Sequence, residues 1–174
     1  MSEPRRALLD VNVLIARFND THVHHEVAHD WFPEGLQLVA PEDDTLCAAA
    51  VDVNAAAYGM DLEAATPLMG RRPFWDGHHL VVGVAGGAPV SSAAVMMVDG
   101  LRDVALVATL PGQQRRGFAD AAMRRAPEAA AGANGETPTV LHATDAGLPV
   151  YERMGYSIIS THAVLMEKRF LEGH

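Results

Sequence analysis

Gln114-Arg115-Arg116-Gly117-Phe118-Ala119 has the residue types of an anion-binding corner. It follows an apolar, β-branched run from Val104 and the breaker Leu110-Pro111-Gly112, and it opens an Ala-rich stretch of helical character. A strand, a short turn and a helix start present unpaired backbone N–H groups at the positive end of a helix dipole. Gly117 has no side chain to obstruct a phosphate, Ala119 keeps the next turn small, and Arg115 and Arg116 bring charge. Three other groups have chemistry-bearing spacing. His25-Glu26-Val27-Ala28-His29 spells H-E-x-x-H, which on a helix sets two imidazoles on one face. No motif supplies a third ligand, so we expect no catalytic zinc there; casual nickel or zinc binding by His22, His24, His25 and His29 is the plainer expectation. Asp10 ends the acid-bearing half of an apolar strand-like run, and Tyr151 sits in Leu148-Pro149-Val150-Tyr151-Glu152-Arg153-Met154-Gly155-Tyr156.

The elements that would carry these residues read as follows. Ala7–Ile15 has the character of a buried strand and Thr21–Phe32 that of a helix, ended by the punctuation Pro33-Glu34-Gly35. Leu36–Val39 alternates as a strand. Pro41-Glu42-Asp43-Asp44 starts a helix expected to reach Tyr58, burying Leu46, Ala50, Val53 and Ala57, with Gly59 ending it. A shorter helix is expected over Leu62–Gly70 and a turn at Trp75-Asp76-Gly77. Strands over His79–Ala85 and Val90–Val98 flank Gly86-Gly87-Ala88-Pro89, and Asp99-Gly100 turns the chain into the Val104 strand. Pro127 lies within the helical pattern Arg116–Ala133, where the lost hydrogen bond and steric clash predict a kink or an end. Thr139–Ala143 and Ile158–Met166 are the closing strands.

Composition narrows the class. The 174 residues suffice for one core with an appendage, and 49% hydrophobic with 20% charged is the balance of a globular protein. A net charge of −9 with scattered basic residues argues against nucleic acid as partner. Cys47 is the one cysteine, which rules out an internal disulfide and suits a reducing cytoplasm. No apolar run approaches the ~20 residues of a membrane span, and the opening residues lack the pattern of an export signal.

Two segments together carry a family resemblance. Gln114, Gly117 and Ala119 match the Gln/Arg-x-x-Gly-x-Gly/Ala acyl-CoA loop of the GNAT-type N-acetyltransferases, and Tyr151, Gly155 and Tyr156 match that family's later Tyr-x-x-x-Gly-Phe/Tyr signature. The stretch that resembles the family runs from about Leu36 to Lys168. The resemblance implies an α/β (α+β) fold: a mixed, mostly antiparallel central sheet flanked by helices, as residues 34–174, preceded by a strand-helix appendage. It implies transfer of an acetyl group from acetyl-CoA, as co-substrate, to an amine acceptor that the sequence does not name. The backbone N–H groups of Gln114 through Ala119, Phe118 included, would hold the pyrophosphate with Arg115 and Arg116. Backbone at Val107 and Thr109 would pair with the pantetheine arm, and the Thr109 N–H would polarise the thioester carbonyl. Tyr151 would return a proton to the departing thiolate, a fitting role for a phenol of pKa ~10 beside a thiol of ~8.5. Thr144 stands where many members carry an Asn that contacts pantetheine, so its hydroxyl is the expected substitute. Asn54, Tyr58 and Met60 are candidates for the acceptor wall, the plainer alternative being that they pack or cap. No base stands out among Asp99, Asp103 and His142. The oligomeric state is left open, a homodimer included.

Residues 6–32 resemble the opening of toxin-type PIN-domain ribonucleases, whose first strand carries a metal-binding Asp, here Asp10. Such a nuclease needs further acids converging on Mg²⁺, and the sequence after Trp31 offers no matching continuation. Residues 1–33 are therefore read as a PIN-like appendage without a working nuclease. The alternatives carried forward are a non-catalytic acyl-CoA-binding module and a metal-dependent ribonuclease built around Asp10.

Overall fold

The structure is a computed structural model that describes residues 6–16, 32–59, 65–143, 145 and 147–167. Its strands are β1 (Arg6–Ala16), β2 (Leu36–Val39), β3 (His79–Ala85), β4 (Ala88–Val98), β5 (Leu101–Thr109), β6 (Thr139–Ala143) and β7 (Ser157–Glu167). Its helices are α1 (Asp44–Tyr58), α2 (Thr66–Met69), α3 (Phe118–Asn134) and α4 (Leu148–Arg153), with a 3₁₀ turn over Arg72–Trp75. The strands form one sheet in the order β2-β3-β4-β5-β6-β1-β7. Every neighbouring pair is antiparallel except β5 and β6.

Both faces of the central strands are covered, which is why β3 and β4 read as nearly continuous apolar runs. Side chains alternate across a strand. Val81, Ala93, Val95, Val104 and Leu141 therefore meet Ala122, Met123, Ala126 and Ala130 of α3 in one core. Leu80, Val82 and Ala94 point the other way, onto Cys47 and Ala50 of α1 and onto Trp75. The hairpin turns form where the sequence puts them: Gly86 and Gly87 (φ 59° and 80°), then Asp99 and Gly100 (φ 48° and 77°). Paired left-handed residues match the twist of the flanking strands.

Helix α1 starts and stops on local chemistry. Asp43 caps it, its Oδ1 accepting from the N–H groups of Thr45 (3.0 Å) and Leu46 (3.2 Å). Gly59 ends it in the left-handed region at φ 59°. The buried face differs from the expected one: Cys47, Ala50, Val51, Val53 and Asn54 are inside, whereas Leu46 and Ala57 are half-buried.

One other expectation is corrected. Helix α3 neither stops nor starts anew at Pro127 but runs on to Asn134. Pro127 lies on the buried face beside Ala126 and Ala130, and its carbonyl accepts from Arg102 Nη1 at 3.1 Å. Burial of that face offsets the ~3 kcal/mol that an interior proline costs. The expected turn at Trp75-Asp76-Gly77 is present and follows a 3₁₀ turn over Arg72–Trp75, fastened by Trp75 Nε1, which donates to the Met69 carbonyl at 2.9 Å. The sequence leaves open how the N-terminal strand packs, and it lies within the sheet. β1 pairs with β6 from Asn12↔Ala143 to Ala16↔Thr139 and with β7 from Arg6↔Glu167 to Ile15↔Ser157. An apolar strand has two edges of N–H and C=O groups to satisfy, and a place inside the sheet satisfies both. The expected helix over Thr21–Phe32 lies outside the described residues apart from Phe32, as does the H-E-x-x-H run. Of the helix expected over Leu62–Gly70, the described part is Thr66–Met69.

Candidate active site

The parallel pair β5–β6 holds together at one end only. Its register runs Arg102↔Thr139, Asp103↔Val140 and Val104↔Leu141, after which β5 continues to Thr109 paired with β4 alone. The closed end is fastened by Arg102, 1% exposed, whose guanidinium donates to the carbonyls of Thr137 and Pro127 and to Glu136. The open end is a gap bordered by the free edge of β5.

Hydrogen-bond direction shows what that edge offers. Leu110 N–H donates to the Val90 carbonyl of β4 at 2.9 Å. Backbone groups alternate sides along an antiparallel strand, so Leu110 and Ala108 face β4, while Thr109 faces the gap. Just before them β5 is bulged: Leu106 has φ 51°, and the β4–β5 register shifts between Ser92 and Ala94. Asn54, 2% exposed, braces this bulge from α1. Its Nδ2 donates to Ser92 Oγ at 2.8 Å, and Ser92 Oγ donates to the Leu106 carbonyl at 2.8 Å. One turn on, Tyr58 donates its phenolic proton to the Val107 carbonyl at 2.6 Å. Asn54 is thus an internal brace, the plainer of the two roles its sequence position offers, and Met60 lies outside the described residues.

The turn after β5 is built from left-handed residues: Gly112 (φ 84°), Arg115 (φ 60°) and Gly117 (φ 78°). Arg115 is a non-glycine residue held in a strained region, as recurs at ligand clamps. Gly117 is the N-cap of α3, and no side chain caps the helix. Backbone N–H groups at an uncapped N-terminus, after a run of left-handed residues, make an anion-binding concavity. Gln114 and Arg115 are exposed, and Ala119 is half-buried. Arg116 donates to Gln113 Oε1 and stacks on the Phe118 ring, 4.5 Å from its centroid. Phe118 is 2% exposed, so its ring is a core plug and its backbone alone faces the turn.

Tyr151 lies on α4, its ring edge-to-face with Tyr156 at 6.1 Å between centroids. Burial, and secondarily the neighbouring phenol of Tyr58, push its pKa up to about 12. Burial alone raises Tyr58. Both phenols stay protonated at neutral pH. Among the expected bases, Asp99 is exposed in a turn and His142 is exposed on β6. Asp103 is half-buried, and its Oδ1 is buried without a hydrogen-bond partner. Loss of hydration raises its pKa, against an opposing pull from His142. Thr144 lies outside the described residues. Among the described residues no three His, Cys, Asp or Glu side chains converge as metal ligands would. No described helix is long and apolar enough to cross a membrane.

Asn54 and Tyr58 stand out in the sequence, but the Leu106 and Val107 carbonyls that they hold do not.

A scan against protein-family models and a search of curated proteins each find no match. Solved structures do match. A GCN5-related N-acetyltransferase from Kribbella flavida superposes with TM-score 0.67 at 26% identity, over 92% of this chain and 58% of that one. A GCN5-related N-acetyltransferase from Ralstonia eutropha gives 0.52 at 26% identity, over 71% of this chain and 93% of that one. A GCN5-related N-acetyltransferase-like protein from Streptococcus suis gives 0.65 at 18% identity, over 92% and 61%. The chain thus spans about three-fifths of the length of the Kribbella and Streptococcus proteins. The fold is GNAT-type, a mixed and mostly antiparallel sheet flanked by helices.

Proposed function

We propose that this chain transfers an acetyl group from acetyl-CoA to an amine, with residues 34–174 as the GNAT-like unit and β1 inserted into its sheet. The observation that carries the reading is the free edge of β5 at Val107–Thr109, which leads directly into the uncapped, left-handed turn before α3. Those groups fit the two parts of the co-substrate. A strand edge pairs with an amide-bearing arm, and a helix N-terminus takes a diphosphate.

The N–H groups from Gln114 through Ala119 hold the phosphates, and Arg115, which is exposed, adds charge. Arg116 is committed to Gln113 and Phe118, so it stiffens the turn and reaches a phosphate only from that stacked position. The Thr109 N–H faces the gap and donates to the thioester carbonyl as negative charge develops on its oxygen. The amine nitrogen attacks that carbon, the C–S bond breaks, and Tyr151 gives its proton to the leaving sulfur. Burial keeps the Tyr151 phenol protonated at neutral pH, so the proton is in place when negative charge reaches the sulfur. The proton lost by the ammonium goes to Asp103 or His142, directly or through water.

The test is acetyl-CoA binding by calorimetry followed by thiol release across a panel of small and peptidyl amines. Wild type should bind and turn over, Gly117→Glu should lose binding, and Tyr151→Phe should keep binding with kcat down about 10²-fold or more. Binding with no transfer to any amine would reduce the protein to an acyl-CoA-binding module. No binding would end the reading.

A further inference from the structure

We propose that Tyr58 is a gate on the acyl-carrier groove: its hydroxyl holds the Val107 carbonyl that an amide of the carrier's arm needs, and binding must displace it. The inference rests on the acetyl-CoA reading above. Val107 lies in the β5 bulge, two residues before Thr109 whose backbone faces the gap, and its carbonyl accepts the Tyr58 proton at 2.6 Å. Tyr58 therefore stands in for the arm at the β5 edge.

The residue is suited to leaving. Tyr58 is the last residue of α1, is 45% exposed, and is followed by Gly59 at φ 59°. Asn54, one turn earlier, is buried and bound to Ala50, Ser92 and Leu106. The helix end is thus pinned at Asn54, and only the outer bond is exchangeable.

The experiment titrates coenzyme A, and separately adenosine bisphosphate, which lacks the arm, into wild type and Tyr58→Phe. Removing the hydroxyl removes a competitor worth one exposed neutral hydrogen bond. Coenzyme A should therefore bind Tyr58→Phe about fivefold more tightly, and adenosine bisphosphate should bind both proteins alike. Coenzyme A affinity that is unchanged or weaker, with adenosine bisphosphate unchanged, overturns the gate and leaves the acetyltransferase reading standing. Loss of affinity for both ligands in Tyr58→Phe and Tyr58→Leu alike makes the residue a strut and also overturns the gate. Failure of wild type to bind coenzyme A overturns both readings.

Discussion

Asp103 concentrates the conflict between stability and chemistry at the scale of one side chain. Its carboxyl is drawn partly out of water beside β6 with Oδ1 lacking a partner, so loss of hydration holds its pKa up. A carboxyl raised in the folded state binds its proton more tightly there than in the unfolded chain. Its contribution to stability is complete below the unfolded value and is lost as pH rises through the folded one. Asp103→Asn should accordingly stabilise the protein by about 1 kcal/mol near neutrality, an advantage that fades towards acid pH. Thermal melts from acid to neutral pH check this. If Asp103 is the base, the same variant loses at least tenfold in kcat with acetyl-CoA affinity unchanged, the usual exchange of activity for stability at a working site.

At the scale of elements, the join between α1 and the β5 bulge matters most. Asn54 and Tyr58 are four residues apart on one helix face and hold consecutive carbonyls, Leu106 and Val107. The inner contact is structural. Asn54→Leu strands Ser92 Oγ and the Ala50 carbonyl without their amide partner in a buried setting. We expect a loss of about 2–4 kcal/mol, read as a lower denaturation midpoint with unchanged slope. Because the bulge turns the Val107–Thr109 edge towards the gap, coenzyme A affinity should fall as well. An Asn54→Leu protein of wild-type stability would show that the brace is decorative.

The whole molecule carries a readout of its own. Its three tyrosines, Tyr58, Tyr151 and Tyr156, all have raised pKa values with burial as the first cause. For Tyr156, the neighbouring Tyr151 adds to the rise, while Arg102 and Arg124 oppose it. Each phenol keeps its proton to higher pH when folded, so the folded chain holds more protons above about pH 10, the ordinary value. Stability is complete below that value and falls as pH rises through the folded values. Tyrosinate absorbance should therefore appear late, and together with loss of the helical circular-dichroism signal. Tyrosines that ionise near pH 10 in an intact fold would contradict the burial of this site.

What the sequence by itself determined is the set of features governed by neighbours along the chain. Asp43 and Gly59 bound α1, the pairs Gly86-Gly87 and Asp99-Gly100 make hairpins, and Gly112 to Gly117 makes a turn into a helix, because φ preference and end-capping act over a few residues. The GNAT-type fold was legible for the same reason, since two short motifs mark its turn and its last helix. Tertiary structure alone decided what depends on distant partners. Pro127 stays helical because Arg102 and the sheet hold it, Asn54 is internal because Ser92 and Leu106 meet it, and β1 lies between β6 and β7 because both of its edges find strands there. Tyr58 belongs with these. A tyrosine at a helix end is ordinary in sequence, and its meaning comes from the carbonyl 49 positions away that its hydroxyl reaches.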